Sequence, residues 1–234
     1  MFTALLILLA QKFPNDSGPI YKETVQGRFP VEPFNTFSNL IFLFIVVYFA
    51  LKVYRAPKKH PFLVWALPVI GLGFIGGTIY HATRSAEIWL LLDWVPITAL
   101  SLAGVVYFIF KWMEFWLQRI LLIAVMAAIF FGLRALPFPA TIQITLGYII
   151  TAATIAIPVI GYLYKTHWHN LRYVAAAFGV FGIAVLFRFI DHRTDLDFLW
   201  MGTHWLWHIM GGLAVFFLIK YIYMDNSRDG RGIS

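Results

Sequence analysis

Seven long apolar blocks dominate the amino-acid sequence and limit what this chain can fold into. Each is long enough for a helix to cross about 30 Å of hydrocarbon, and they fall at about 36–53, 62–82, 88–110, 115–135, 141–164, 171–190 and 200–223. Hydrophobic residues make up 61% of the chain and charged residues 12%, whereas an ordinary soluble domain is roughly half apolar and a quarter charged. A membrane β-barrel would show short alternating segments instead. The sequence therefore predicts an all-α integral membrane protein, a bundle of seven transmembrane helices.

The blocks follow one another closely, without a linker or repeat that would divide the chain. We therefore expect one domain over residues 1–234, with an N-terminal interfacial segment at 1–35 and a short C-terminal tail at 224–234. The opening "MFTALLILLA" is apolar but too short to span a bilayer. It has neither a basic start nor a clear cleavage site, so we interpret it as an interfacial or packed helix rather than a signal peptide.

The basic residues predict how the bundle is oriented. Eleven of the 18 Lys and Arg residues lie in the loops after spans one, three and five, in the tail, or in the adjoining span ends. Because basic loops stay in the cytoplasm, we expect the N-terminus outside and the C-terminus in the cytoplasm. The net charge of +7 is then a topology signal rather than a nucleic-acid-binding patch. The start of span one, the end of span two, the starts of spans three and seven and the end of span six meet at the outer face.

Three histidines and one carboxylate at that face form the candidate site. His204 and His208 are four residues apart and point within about 40° of each other on a helix, while His81 lies near the end of span two. Three neutral imidazoles that leave a fourth position open are typical of catalytic zinc. Asp93 lies inside span three, where a carboxylate costs about 2.5–3.5 kcal/mol on insertion scales. We predict a zinc site in which Asp93 orients the attacking water or accepts its proton.

Simpler roles for these histidines stay open at this point. A histidine inside a membrane often forms a hydrogen bond to a neighbouring helix, and a pair of histidines can hold a haem. The chain has no Cys, which excludes disulfides and thiolate-bound zinc but does not decide among these roles. The remaining histidines fall in predicted loops. We interpret His60, His167 and His169, on the opposite side of the membrane, as solvated, and His192 follows span six.

Further polar residues accompany the site at the same face. They are Glu32, Asn35, Ser38 and Asn39 around the start of span one, and Asp191 at the end of span six. The i, i+3, i+4 spacing of the residues in span one places them on one helix face. We expect them to brace the site through caps and interhelical hydrogen bonds rather than to react. Asp191 either supports the site or pairs with Arg188 or Arg193.

Together these segments resemble the alkaline ceramidase family, within the wider CREST superfamily of seven-helix membrane hydrolases. The matching segments follow the family's order over almost the whole chain: "EPFNTFSN" at 32–39, "YHAT" at 80–83, "LLLDW" at 90–94, "FID" at 189–191 and "HWLWHIMGG" at 204–212. The resemblance implies seven helices with an external N-terminus and a zinc-dependent amide hydrolase that acts on a lipid. It puts His81, His204 and His208 on the family's zinc-ligand positions and Asp93 on its water-activating aspartate.

Two segments differ from the family's pattern. The family's serine four residues before the first ligand is replaced here by Gly77, and the neighbouring Thr78 is the candidate to supply a hydroxyl to the transition state. The acidic calcium-binding segment of eukaryotic members is missing from "NDSGPIYKETVQGRF" at 15–29, although Glu32 falls on one of its ligand positions. We therefore expect Zn²⁺ as the cofactor and do not expect a full calcium site.

These observations predict a membrane-embedded hydrolase. We expect it to cleave the amide bond of ceramide or a related N-acyl lipid, giving a long-chain base and a fatty acid, at a site that the lipid reaches sideways from the outer leaflet. The main alternative is a zinc-containing lipid receptor of the progestin and adiponectin receptor type. A haem-binding electron carrier and a proton-coupled transporter that uses Asp93 are further alternatives. The polar residues cluster at one face, whereas a transporter would line a path across the membrane.

Overall fold

The computed structural model describes residues 13–57, 59–191 and 199–228, and this part of the chain is built from seven long helices. Their bounds are α1 Pro33–Val53, α2 Pro61–Thr83, α3 Glu87–Trp112, α4 Trp116–Arg134, α5 Ala140–Lys165, α6 Leu171–Asp191 and α7 His204–Arg228. Each is long and apolar enough to cross a membrane. The predicted seven-helix membrane bundle is confirmed.

The helix ends differ from the predicted spans where local chemistry sets the boundary. Helix α1 starts at Pro33, because proline suits the first turn of a helix, and it is interrupted at Asn39 between Pro33–Ser38 and Leu40–Val53. Helix α7 starts at His204 rather than at position 200, since Gly202 just before it has a φ of +83°, outside the helical region. It continues to Arg228, so residues 224–228 of the predicted tail at 224–234 are helical.

Six of the helices form a closed ring. In order around the ring they are α1, α2, α3, α5, α6 and α7, and α7 returns to pack against α1. Helix α4 lies outside this ring against α3 and α5. Helix α2 also contacts α7. This contact brings the end of α2 and the start of α7 together, which are the two places that carry the candidate metal ligands.

The two halves of the bundle have different interiors. One half has an apolar core and contains the end of α1, the start of α2 and the ends of α3, α5 and α7. Its fully buried side chains include Phe49, Leu63, Phe108, Leu163 and Tyr221. The other half holds most of the buried polar and charged side chains near the start of α1 and the end of α2. The candidate site therefore lies among the buried polar side chains of this half, which we call the polar chamber, next to the apolar core.

One sequence interpretation is wrong at the apolar end of the bundle. We took His60 as solvated, but only 1% of its surface is exposed and its ring stacks on Tyr223, with centroids 4.6 Å apart. The end of α7, which carries Tyr223, packs over the start of α2 and covers the imidazole. His167 and His169 are exposed, as predicted. The predictions that concern His192 and Arg193 lie outside the described residues.

Candidate metal centre

His81, His204 and His208 converge at the contact between α2 and α7. Their ring centroids lie 4.9 Å (His81–His208), 5.4 Å (His81–His204) and 4.6 Å (His204–His208) apart. One ring nitrogen of each lies within 4.8 Å of those of the other two, and all three residues are buried. The fold therefore brings together three imidazoles that are predicted from the sequence to share a site, in an arrangement that could hold one metal ion.

His81 is held through its Nδ1 atom by Glu32. The His81 Nδ1 lies 2.5 Å from Oε2 of Glu32, and the backbone N–H of Glu32 in turn donates to the His81 carbonyl at 3.0 Å. A carboxylate accepts a hydrogen bond from Nδ1–H, so this contact favours the tautomer with the proton on Nδ1 and the lone pair on Nε2. The Nε2 of His81 is buried and has no hydrogen-bond partner in the described part of the chain.

His208 is held in the same way by the start of α1. Its Nδ1 lies 2.7 Å from the Ser38 hydroxyl and 3.2 Å from the Asn35 carbonyl oxygen. Ser38 donates its own proton to the Asn35 carbonyl at 2.9 Å, so its oxygen accepts from His208. Both neighbours therefore favour the proton on Nδ1, and Nε2 is again left as the ligand atom. The predicted bracing residues of α1 thus contact a candidate ligand directly.

The hydrogen-bond partner of His204 depends on which ring nitrogen carries the proton. Its Nδ1 lies 3.1 Å from Nη1 of Arg188 and 3.6 Å from Oδ2 of Asp191, and these two residues form an ion pair at 2.7 Å. Arginine can only donate, so in this arrangement Nδ1 accepts from Arg188. A neutral His204 that binds a metal through Nε2 carries its proton on Nδ1, and that proton needs Asp191 as its acceptor. Asp191 is thus placed to support the site as well as to pair with Arg188.

The donor set fits a transition metal rather than calcium or magnesium. Imidazole nitrogens suit zinc, copper, iron and nickel, whereas calcium and magnesium take oxygen ligands. The buried, unpartnered Nε2 of His81 is an observation that points to a ligand, since leaving such a group unsatisfied costs about 1–3 kcal/mol. The partners on Nδ1 of His81 and His208 are the outer contacts that metal-binding histidines usually have.

Asp93 lies on α3 where this helix meets α2 most closely. A Cβ atom added to Gly77 would stand 2.3 Å from Oδ1 of Asp93 and 3.0 Å from Oδ1 of Asn39. Glycine at position 77 therefore gives the Asp93 carboxylate the space it occupies, one helical turn before His81. The carboxylate makes no hydrogen bond or ion pair with any described residue. A side chain at position 77 would displace this carboxylate.

Thr78, next to Gly77 on α2, provides an available hydroxyl. Its Oγ1 is buried and has no hydrogen-bond partner among the described residues. It lies three residues before His81, so the two side chains share one side of α2. Asn39 fills the space on the other side of Gly77 and donates to the Asn35 carbonyl at 3.0 Å.

The sequence interpretation missed the segment that covers the site. Tyr21, which precedes α1, stacks on His204 with centroids 4.0 Å apart and rings inclined by 22°. Its ring centroid is 5.5 Å from that of His81. Burial raises the pKa of the Tyr21 phenol well above its ordinary value, so the phenol is neutral at physiological pH. No spacing or motif in the sequence indicated this residue, because its position depends on how residues 13–32 fold back over the helix ends.

Arg84 is the second missed residue, and it ties this covering segment to the ligands. It ends α2 with a left-handed φ of 49°, and only 1% of its surface is exposed. Its guanidinium donates to both carboxylate oxygens of Asp16, to Oε1 of Glu32 and to the carbonyl oxygens of Pro19 and Gly18. An arginine fork matches such planar oxygen acceptors closely. Glu32 therefore bridges Arg84 on one oxygen and His81 on the other.

These contacts keep Glu32 ionised. Burial alone would raise the pKa of its carboxyl, but the hydrogen bonds from His81 and Thr24 and the charge of Arg84 hold that pKa below its ordinary value. An ionised carboxylate accepts the Nδ1 proton of His81 and increases the basicity of the ligand nitrogen. The carboxylate oxygens of Glu32 take part in four hydrogen bonds, and each of these is with a protein group.

Replacing Arg84 with Met should strongly destabilise the protein. Asp16 and Glu32 have fully buried side chains, and removing one partner of such a pair leaves uncompensated charge, at a cost of about 3–5 kcal/mol. Arg84→Lys keeps the charge but not the planar guanidinium, so its loss of stability should lie between zero and that of Arg84→Met. Denaturant titration in detergent micelles gives the free energy of unfolding of both variants. Glu114→Ala is the control, because its ion pair with Lys165 is exposed and contributes about 0–1 kcal/mol. Equal losses in Arg84→Met and Glu114→Ala would contradict this role.

Comparisons with known proteins do not identify the chain. No family model matches it, and no curated protein matches its sequence.

Proposed function

We propose that this protein is a zinc-dependent intramembrane hydrolase that cleaves the amide bond of ceramide or a related N-acyl lipid. The observation that supports this most is the pairing of two features in one polar chamber. Three buried histidines converge with ligand atoms within 4.8 Å of one another. The unpaired carboxylate of Asp93 lies against Gly77, which is one helical turn before the first of them on α2. A purely structural histidine cluster has no need of an unpaired carboxylate at membrane depth.

In the proposed reaction each of these residues has a distinct role. His81, His204 and His208 would hold the ion, which when bound supplies Lewis-acid activation of a water and of the acyl carbonyl. Asp93 accepts the proton of the attacking water as its oxygen bonds to the carbonyl carbon, and then passes that proton to the amine as the C–N bond breaks. The hydroxyl of Thr78 donates a hydrogen bond to the carbonyl oxygen as negative charge develops on it. One water is consumed, and a fatty acid and a long-chain base are formed.

The sequence resemblance to alkaline ceramidases supports the choice of substrate. It rests on ordered segments, and in this fold the segments at 32–39, 80–83, 90–94 and 204–212 meet in one chamber. Glu32 is saturated by protein contacts, so we propose that zinc rather than calcium is the functional ion. A zinc-containing lipid receptor shares the three histidines, and turnover separates the two functions.

The test is zinc content and lipid turnover in the same sample. For wild-type protein purified in detergent, we expect about one zinc per chain by elemental analysis and release of fatty acid from a fluorescent ceramide. A chelator should abolish the release, and added zinc should restore it. Zinc at this ratio without turnover would favour the receptor function or another lipid amide. Absence of zinc from protein that remains folded would overturn the proposal.

A further inference from the structure

An apolar groove runs along the bundle beside the candidate metal centre. It lies between the start of α1 and the start of α7, has a volume of about 480 Å³, and is lined by Pro33, Phe34, Phe37, Ser38, Trp205 and Ile209. This volume is within the range of about 300–1,000 Å³ that is typical of sites for small molecules. Both helices are long and apolar enough to cross a membrane.

The wall of the groove is suited to a hydrocarbon chain. None of its lining residues is charged, and Ser38 and Trp205 carry its only side-chain polar groups. Phe37 stands at the rim with 61% of its surface exposed. A soluble or charged ligand would find little to bind here, whereas the acyl chain of a bilayer lipid could enter without leaving the membrane.

The groove ends at the metal ligands. Ser38 lines it, and the Ser38 hydroxyl is the group that accepts from Nδ1 of His208 at 2.7 Å. Trp205 and Ile209 directly follow His204 and His208 in α7, so they lie beside the ligands on the same helix turns. A chain in the groove therefore has its inner end one side chain away from the chamber that contains the histidines.

Trp205 provides a second observation that points to a ligand. Its indole Nε1 is buried and has no hydrogen-bond partner among the described residues. A buried N–H donor usually finds a partner, particularly in tryptophan, whose ring tolerates apolar surroundings while its N–H requires an acceptor. A carbonyl or hydroxyl oxygen close to the polar end of a lipid would provide one.

We propose that the groove between α1 and α7 binds one acyl chain of the lipid substrate, with an oxygen of the same lipid accepting a hydrogen bond from the indole N–H of Trp205. This rests on the proposed lipid hydrolysis for the identity of the lipid. It adds a binding subsite and a route: the lipid slides in between the first and seventh spans. Acyl-chain preference is then set by Phe37 and Ile209 rather than by the metal ligands.

Three variants test the groove, with zinc content measured in each. Ile209→Trp fills it and should raise KM for a long-chain ceramide about tenfold or more. The increase in KM should be smaller for an acetyl ceramide, whose short acyl chain does not extend along the groove. Trp205→Phe keeps the ring and removes the donor, so KM should rise about three- to tenfold. Val47→Trp adds the same bulk on α1 at an exposed position outside the groove and should behave as wild type.

A photolabel separates binding from turnover. In phosphatidylcholine vesicles, a ceramide with a diazirine in its acyl chain should label the peptides that carry Phe37 and Ile209, and excess unlabelled ceramide should suppress this labelling. If wild type is labelled there without turnover, the groove stands and the proposed hydrolysis fails. If wild type hydrolyses ceramide but Ile209→Trp and Trp205→Phe match Val47→Trp in KM and labelling, the groove proposal is overturned. Absence of both labelling and turnover would overturn both proposals.

Discussion

Replacing His208 with Ala should leave the purified protein without zinc. The substitution removes one of three protein ligands, and two imidazoles on different helices do not make a zinc site. Ser38→Ala removes only the hydroxyl that holds His208. Such outer contacts change metal affinity by about 10–100-fold, and the Asn35 carbonyl remains 3.2 Å from Nδ1 as an alternative acceptor. We therefore expect a loss near the lower end of that range for Ser38→Ala.

Elemental analysis after dialysis, followed by zinc titration, measures both variants. The expected order of zinc affinity is wild type, then Ser38→Ala, then His208→Ala with no stoichiometric zinc. Circular dichroism and gel filtration in detergent check that the helices persist. A His208→Ala protein that retained one zinc per chain would show that the three histidines do not form the centre.

The second large effect concerns Asp93. Asp93→Asn keeps the size of the side chain but removes its ability to accept a proton, so turnover should fall by about 10²–10⁴-fold. Zinc content should not change, because Asp93 is not one of the proposed ligands. Stability should be equal or higher, since an unpaired carboxylate within a span carries an insertion cost of about 2.5–3.5 kcal/mol. Lower activity combined with undiminished stability is the signature of a residue retained for chemistry.

A matched control exists on α7. Asp225 is a buried aspartate at the apolar end of the bundle, where it accepts from the Tyr162 hydroxyl and pairs with Lys111. Asp225→Asn should lose stability and keep zinc and turnover, the reverse of Asp93→Asn. Rate measurements with fluorescent ceramide and thermal unfolding in detergent distinguish the two. If Asp93→Asn destabilised the protein and lowered zinc content, Asp93 would be a structural partner of the site.

The seven-helix architecture and the convergence of three histidines could be predicted from the sequence, because both follow from simple geometry. A bilayer forces long apolar helices, so the seven spans appear as blocks, and a helix makes residues four apart neighbours, so His204 and His208 stand out. The end of α2 and the start of α7 then meet because odd and even helix ends alternate between faces. The same logic predicted Asp93, because a charge within a span is rare.

Tyr21 and Arg84 could not be predicted in this way. Residues 13–32 form no helix, and their position results from specific contacts, such as that of Asp16 with Arg84, that have no period in the sequence. The role of Gly77 also needed coordinates, because only the close approach of α3 shows that a side chain would collide with Asp93. The burial of His60 was not predictable because the sequence does not indicate that the end of α7, with Tyr223, packs over the start of α2.

The closed ring has a consequence for how the protein matures. His81 is synthesised well before His204 and His208, and the ring closes only when α7 has inserted between α6 and α1. A nascent chain that stops before α7 contains one of the three imidazoles and no complete centre. The proposed zinc site would therefore be complete only after the seventh helix has inserted, which would make metal acquisition a late step of biogenesis.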